Sequence, residues 1–198
     1  MANEPCSPRL TYEVNLPDKG RRMRELIVYI SDKLSDDHTY GATKLNKVLW
    51  WADFLSYRER GQPITGERYQ RLPKGPCPVR LLPVRRSMID DKDIAMRQQR
   101  LGLNTQDRVI SLRNADLSIF DGEDIAIVDA VIESLRGKNA DEVSAESHLR
   151  AWRTRGDKDL IPYEASLLSD EGITVEDVAR TEALAKELGW NVRRGAAA

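Results

Sequence analysis

The architecture of the chain turns on residues 43–78, TKLNKVLWWADFLSYRERGQPITGERYQRLPKGPCP. From Thr43 to Arg60, Leu45, Val48, Leu49, Ala52 and Leu55 recur at helical spacing, and Trp50, Phe54 and Tyr57 make a second row. The spacing predicts a helix that is apolar on two faces and therefore central to the domain. Lys44, Lys47, Trp51 and Arg58 fall on what remains of its circumference. That face reads either as a basic recognition surface with a stacking aromatic or, more simply, as Trp51 at a core edge beside solvated lysines. From Gly61 to Pro78 the chain holds four prolines and three glycines, which regular helix does not tolerate, so an irregular loop is expected. Gly61 and Gly66 stand at phosphate-loop spacing, but Glu67 and Arg68 occupy the places of the required Lys and Ser/Thr. No nucleotide site is assigned.

Upstream, residues 1–20 contain three prolines and no helical period, and read as an extended arm. Met23, Leu26, Ile27, Ile30 and Leu34 then mark one stripe of a helix over Arg21–Leu34. Arg21, Arg22 and Arg24 sit in its first turn, where the helix dipole disfavours them, so acidic neighbours are expected. Downstream, a helical stretch over Val79–Ile89 is interrupted by Pro83, and two short strands follow, around Ile94 and Met96 and around Val109, Ile110 and Leu112. Asp121 with Asp124, Asn139 with Glu142, and Thr174 with Asp177 are helix start signals. The first of these helices buries Ile125, Val128, Val131, Ile132 and Leu135 before Gly137; the last turns Val175, Val178, Leu184 and Leu188 inward before Gly189. The fold class is α+β, mainly α: a compact helical domain around a central apolar helix, with a small antiparallel β-hairpin.

With 198 residues, 40% hydrophobic and 32% charged, the composition is that of one compact domain. No run approaches the ~20 apolar residues of a membrane span and Met1–Gly20 has no signal-peptide core, so a cytoplasmic protein is expected. Residues 1–100 carry a net +6 and residues 101–198 a net −7, which predicts two halves packed against each other more than a nucleic-acid surface. Cys6, Cys77, His38 and His148 lack the paired spacing of a zinc site. Asp90, Asp91 and Asp93 lack the glycine and distal glutamate of a calcium loop. Ser147 and His148 are adjacent, which on a helix points them about 100° apart and makes no nucleophile–base pair. Neither a cofactor nor catalysis is expected.

Residues 43–78, together with SAESHLRAW at 144–152, LIPYEASLLSD at 160–170 and AKELGW at 185–190, resemble the Panacea domain of SocA-like antitoxins. The matching motif positions are Lys44, Leu45, Trp50, Asp53, Gly66, Tyr69, Gly75, Pro76 and Pro78 in the first block. In the second they are Ser147, His148 and Trp152, read as a Ser-His-containing helix, and Ile161, Pro162, Tyr163 and Glu164, read as a proline-initiated helix with a capped first turn. The chain departs from the family pattern at Trp50 and Trp51, where Tyr or Phe is commoner, at Lys74, where Tyr precedes Gly-Pro, and at Pro83.

With a tail at 191–198 read as flexible for want of an apolar period to hold it on the body, the resemblance implies a domain over residues 21–190. It also implies an antitoxin that binds a cognate toxin directly, in a toxin–antitoxin system that is often phage-associated, with a ClpXP-type protease as a further partner. Contact residues expected on that basis are Lys44, Lys47, Trp51, Arg68, Tyr69 and Arg71, since exposed aromatic and arginine side chains anchor interfaces. A DNA-binding repressor or a phage-related regulatory protein of the same operon is the alternative, though no helix-turn-helix pattern follows Arg21–Leu34.

Overall fold

The structure is a computed structural model that describes residues 10–101, 104–170 and 175–187. The chain divides into two compact units, Met1–Leu168 and Ser169–Ala198, taken separately below. In the larger unit the order is α1 (Lys19–Lys33), α2 (Ala42–Arg60), β1 (Tyr69–Leu72), β2 (Gly75–Pro78), α3 (Leu81–Asp90), β3 (Ile94–Leu101), β4 (Asn104–Ser111), α4 (Gly122–Leu135), α5 (Ala140–Glu146), α6 (Arg150–Arg153) and β5 (Leu160–Ile161). Short 3₁₀ turns lie at Leu117–Ile119 and Tyr163–Leu167. An antiparallel sheet in the order β2-β1-β5 and a separate β3-β4 ribbon complete it.

Helix α2 packs against α1, α4, α5, β2, β4 and the Tyr163–Leu167 turn. Its two apolar rows serve two cores. Leu45, Val48, Leu49 and Ala52 join Leu26, Ile27 and Ile30 of α1 and Val128 and Ile132 of α4, whereas Trp50 and Phe54 join Tyr69, Ile161 and Tyr163. The helix is not simply apolar, however, because Lys44, Lys47, Asp53 and Ser56 are buried with the rest.

The proline-rich stretch after Gly61 is more regular than its composition predicts. It contains the β1-β2 hairpin, with Tyr69 opposite Pro78 and Leu72 opposite Gly75. Pro76 and Pro78 fit because β2 is the edge strand, where a missing N–H costs no sheet hydrogen bond. Pro83 likewise sits in the first turn of α3, where backbone N–H groups have no intrahelical acceptor.

Both internal capping boxes form: Asp121 and Asp124 cap α4, and Asn139 and Glu142 cap α5. Gly137 lies between them at φ 76°, a left-handed conformation that suits glycine. The arginines of α1 find their acids. Arg21 meets Asp116, Arg22 meets Asp124 at 2.6 Å, and Arg24 meets Asp91 and Asp93 at 2.7 and 2.5 Å. Arg60 at the end of α2 reaches Asp121 and Asp124 at 2.7 and 2.8 Å. Several contacts therefore join the basic first half to the acidic second.

The arm expected over residues 1–20 ends earlier than read, since α1 begins at Lys19, and its described part is held to the body. Leu16 is buried, and the Val14 N–H donates to the Gly66 carbonyl at 3.1 Å. In the second unit, α7 runs Val175–Glu187. Val175, Val178 and Leu184 are exposed there, which corrects their inward assignment: periodicity defines an apolar stripe but not what covers it. Thr174, Leu188, Gly189 and the tail at 191–198 lie outside the described residues. Among the described residues no helix is long and apolar enough to cross a membrane.

Candidate partner-binding surface and the buried motif residues

Several of the residues singled out in the sequence converge on three polar clusters that α2 projects into the protein. The deepest centres on Asp53. One carboxylate oxygen accepts the Thr65 backbone N–H at 2.6 Å; the other accepts the Thr65 hydroxyl, the Tyr69 hydroxyl at 2.9 Å and, more distantly, the Tyr163 hydroxyl at 3.4 Å. Burial pushes the Asp53 carboxyl up to about 6, against the hydrogen bonds from Thr65 and Tyr69 that favour its ionised form. Burial and the neighbouring Asp53 push the Tyr69 and Tyr163 phenols well above their ordinary value. Tyr163 also donates to the Glu67 carbonyl at 2.6 Å. Glu67, itself buried, has a carboxyl raised by burial while Arg80 at 3.4 Å opposes the rise. The Thr65–Glu67 loop passes so close to the arm that a Cβ on Gly66 would stand 2.3 Å from the Val14 carbonyl oxygen.

The second cluster centres on Lys47. Its ammonium is buried and donates to the Pro76 carbonyl at 3.1 Å, with no carboxylate paired to it among the described residues. Burial pulls this lysine down to about 8. Gly75 packs against it and against Ser147, whose hydroxyl turns back to the Ser144 carbonyl at 2.8 Å.

In the third, Lys44 donates to Asp37 and to the Thr39 hydroxyl, both at 2.6 Å. Asp37 also accepts the Thr39 N–H at 2.8 Å and the Gly137 N–H at 3.2 Å. Burial alone would raise the Asp37 carboxyl, but the hydrogen bonds from Lys44, Thr39 and Gly137 hold it well below the usual carboxylate range. Lys44 is lowered by burial, with Asp37 opposing.

Lys44, Lys47 and Tyr69, expected at a partner surface, are thus about 1% exposed and offer no side chain to a partner. The expectation of solvated lysines fails with them, because their acceptors (Asp37 and Thr39 in the preceding loop, Pro76 in β2) lie off the helix, where helical spacing cannot reveal them. Arg68 and, less so, Arg71 remain accessible, and Trp51 is half-buried. Arg68 faces Glu13 at 3.4 Å, and Arg71 reaches Asp157 only at 4.0 Å.

The second motif block anchors neighbouring segments. Ile161 pairs with Tyr69 across the sheet. Pro162 precedes a 3₁₀ turn and not an α-helix. Glu164 does not cap that turn; it accepts the Thr11 N–H at 2.9 Å and the Tyr57 hydroxyl at 3.0 Å, while the Tyr163 N–H donates to the Thr11 carbonyl at 2.8 Å, so the motif holds the N-terminal arm. Ser147 and His148 lie at and beyond the end of α5, which corrects their placement within one helix. The His148 ring stacks on Trp152 at 3.8 Å and 11°, and the Trp152 indole N–H donates to the Leu72 carbonyl at 2.9 Å.

Sequence reasoning missed Asp37, Thr39, Thr65 and Glu67. Asp37-x-Thr39 ahead of a helix is a local turn signal that could have flagged the first pair. Among the described residues no three His, Cys, Asp or Glu side chains group so as to hold a metal ion. A groove of about 620 Å³ beside the α2 N-terminus is lined by Thr43, Lys74, Gln106 and Asp141 among others, with charges of both signs.

Residues 45–153 match the family model described as antitoxin SocA-like, Panacea domain. No curated protein and no solved structure matches.

Proposed function

The chain belongs to the SocA-like antitoxin family, and from that membership we propose that it neutralises a cognate toxin by stoichiometric, non-catalytic binding in the cytoplasm. The observation that carries this reading is the family match over residues 45–153. The site geometry supports it: the motif residues are spent on holding α2, the hairpin and the arm together, which suits a rigid binding scaffold better than a reaction centre. No converging acid, base and nucleophile face a common cavity in the clusters described. Delivery of the bound toxin to a ClpXP-type protease, and a phage-associated operon, belong to the same proposal.

Co-expression of this gene with the neighbouring open reading frame tests it. If the neighbour arrests growth, the present protein is expected to restore it, and a soluble protein that fails to restore it overturns the reading. Charge reversal at Arg68 and Arg71 is expected to weaken rescue; at Arg68 the fold should be left intact, because accessible arginines add little to stability yet anchor interfaces. Undiminished rescue would place the contact surface elsewhere.

A further inference from the structure

The corner where α6 meets the β1-β2 hairpin carries an arrangement that packing alone does not explain. Trp152 is stacked by the His148 imidazole at 3.8 Å, and the Arg71 guanidinium lies over the same ring at 4.1 Å. Two planar groups at such distances cannot share one face, so the indole is sandwiched between them. Two nitrogens here are buried without a hydrogen-bond partner: His148 Nε2 and Arg71 Nε. Orphaned buried polar atoms are uncommon in native proteins, so a pair of them at one corner marks it out from ordinary packing.

The electrostatics agree in sign. His148 bonds the Pro73 backbone carbonyl through its other nitrogen, and its pKa is lowered by burial and by Lys47 of α2, Arg71 of β1 and Arg153 of α6. Lys47 is buried without a carboxylate partner, and the carboxylate paired with Arg71, that of Asp157, is exposed and 4.0 Å away. The field at the corner is positive from three separate elements.

We propose that the Arg71–Trp152–His148 corner, flanked by Arg153, is a docking site for an acidic peptide segment of the bound partner protein. The chemistry favours carboxylates over a single-stranded nucleic acid, because both faces of Trp152 are covered and none is left for a base to stack on. Carboxylates instead meet the Arg71 and Arg153 guanidinium groups edge-on and complement the positive field of the corner. An arriving anion also favours protonation of His148 and Lys47, so binding takes up protons and tightens as the pH falls from 8 to 6. The identity of the partner rests on the antitoxin reading; the existence of the site does not.

The test is calorimetric titration of the full chain with a hexaglutamate peptide at pH 8 and pH 6, in buffers of differing ionisation enthalpy. Expected are proton uptake on binding and an affinity about tenfold higher at pH 6, the equivalent of one pKa unit. Arg71→Gln with Arg153→Gln is expected to weaken binding at least about tenfold, one charge-assisted contact's worth. His148→Phe should keep the stack and much of the affinity but reduce the pH dependence, which a purely structural role for His148 would leave unchanged. Arg86→Gln, on α3, is the control and should change nothing. Absence of peptide binding, affinity unchanged in the double variant, equal binding of inorganic phosphate, or tighter binding of single-stranded DNA would each overturn the proposal. Because the titration contains no toxin, lost rescue with peptide binding intact counts against the antitoxin reading, and lost peptide binding with rescue intact counts against this site.

Discussion

Gly75 and Ser147 are packed so closely that a Cβ on the glycine would stand 2.2 Å from the serine hydroxyl oxygen. The two residues come from the two separate motif blocks, so the blocks are joined at a point where only glycine fits. Gly75 also has φ 97°, outside the range that residues with a side chain favour. A Cβ there would in addition approach the Lys47 ammonium to 2.7 Å. Gly75→Ala is expected to cost about 3 kcal/mol, from overpacking together with backbone strain. Chemical denaturation measures this, and Ser147→Gly in the same chain should return only part of the loss, since Lys47 and the backbone strain remain.

Asp53 makes a pH-dependent contribution whose sign is opposite to that of an ordinary salt-bridged carboxylate. Its folded-state value of about 6 lies above the 3.8 of an unperturbed aspartate. The folded chain therefore holds this proton more tightly than the unfolded chain. The associated stability is fully present below the unfolded value and is lost as the pH rises through about 6. The loss is on the order of 3 kcal/mol at the usual exchange rate per pKa unit. Asp53→Asn keeps an uncharged amide among the same donors and is expected to flatten this pH dependence in denaturation curves at pH 4.5 and 7.5. Asp53→Ala should instead cost about 3 kcal/mol at pH 4.5, because it strands the Thr65 N–H and hydroxyl in a dry interior, and less at pH 7.5, where the wild type has itself lost the contribution of the protonated carboxyl.

The Lys44–Asp37 pair titrates the other way. Asp37 is held below its ordinary value, so its contribution is present above the unfolded value near 3.8 and is lost as the pH falls toward the folded one. Lys44→Met removes the buried cation and is expected to cost about 3 to 5 kcal/mol near neutral pH, the effect of leaving a buried charge alone. Without Lys44, burial dominates at Asp37 and its pKa rises, so the gap between wild type and variant should narrow as the pH is lowered from 6 to 3. Adding Asp37→Asn to Lys44→Met should recover part of the loss, and a double-mutant cycle reports the coupling. Strictly additive effects would mean that the 2.6 Å contact contributes nothing.

What the sequence revealed and what it hid follow from the range of the interactions involved. The capping boxes at Asp121 and Asn139 are contacts across three residues, and both helices start where those residues place them. The two apolar rows of α2 are likewise a local pattern, and each row lies in its own core. Lys44 and Lys47 look solvated in sequence because their acceptors lie off the helix, Asp37 in the loop before it and Pro76 twenty-nine residues along. The hairpin at Tyr69–Pro78 was hidden by its own prolines, whose tolerance depends on β2 being an edge, a property of the assembled sheet. The motif residues were visible as a set, but their role in holding the arm through Glu164 and Thr11 rests on contacts 153 residues apart.

Trp50 supplies the last prediction. Its side chain is about 1% exposed and packs at a tilt against Trp51 and Phe54 with ring centroids at 4.5 and 5.3 Å, so removing it to Ala is expected to cost about 3 to 5 kcal/mol. The indole Nε1, however, is buried with no hydrogen-bond partner. A polar group in that position works against the folded state, by about 1 to 3 kcal/mol when wholly unsatisfied. Trp50→Phe gives up some volume but also removes that N–H, and the two effects oppose each other. The expected result is therefore a change of no more than about 1 kcal/mol, far smaller than for Trp50→Ala, because transfer and cavity losses scale with the atoms removed. Equilibrium denaturation of the two variants side by side decides the matter: a phenylalanine variant as unstable as the alanine one would mean that indole volume, and not its unpaired N–H, governs the site.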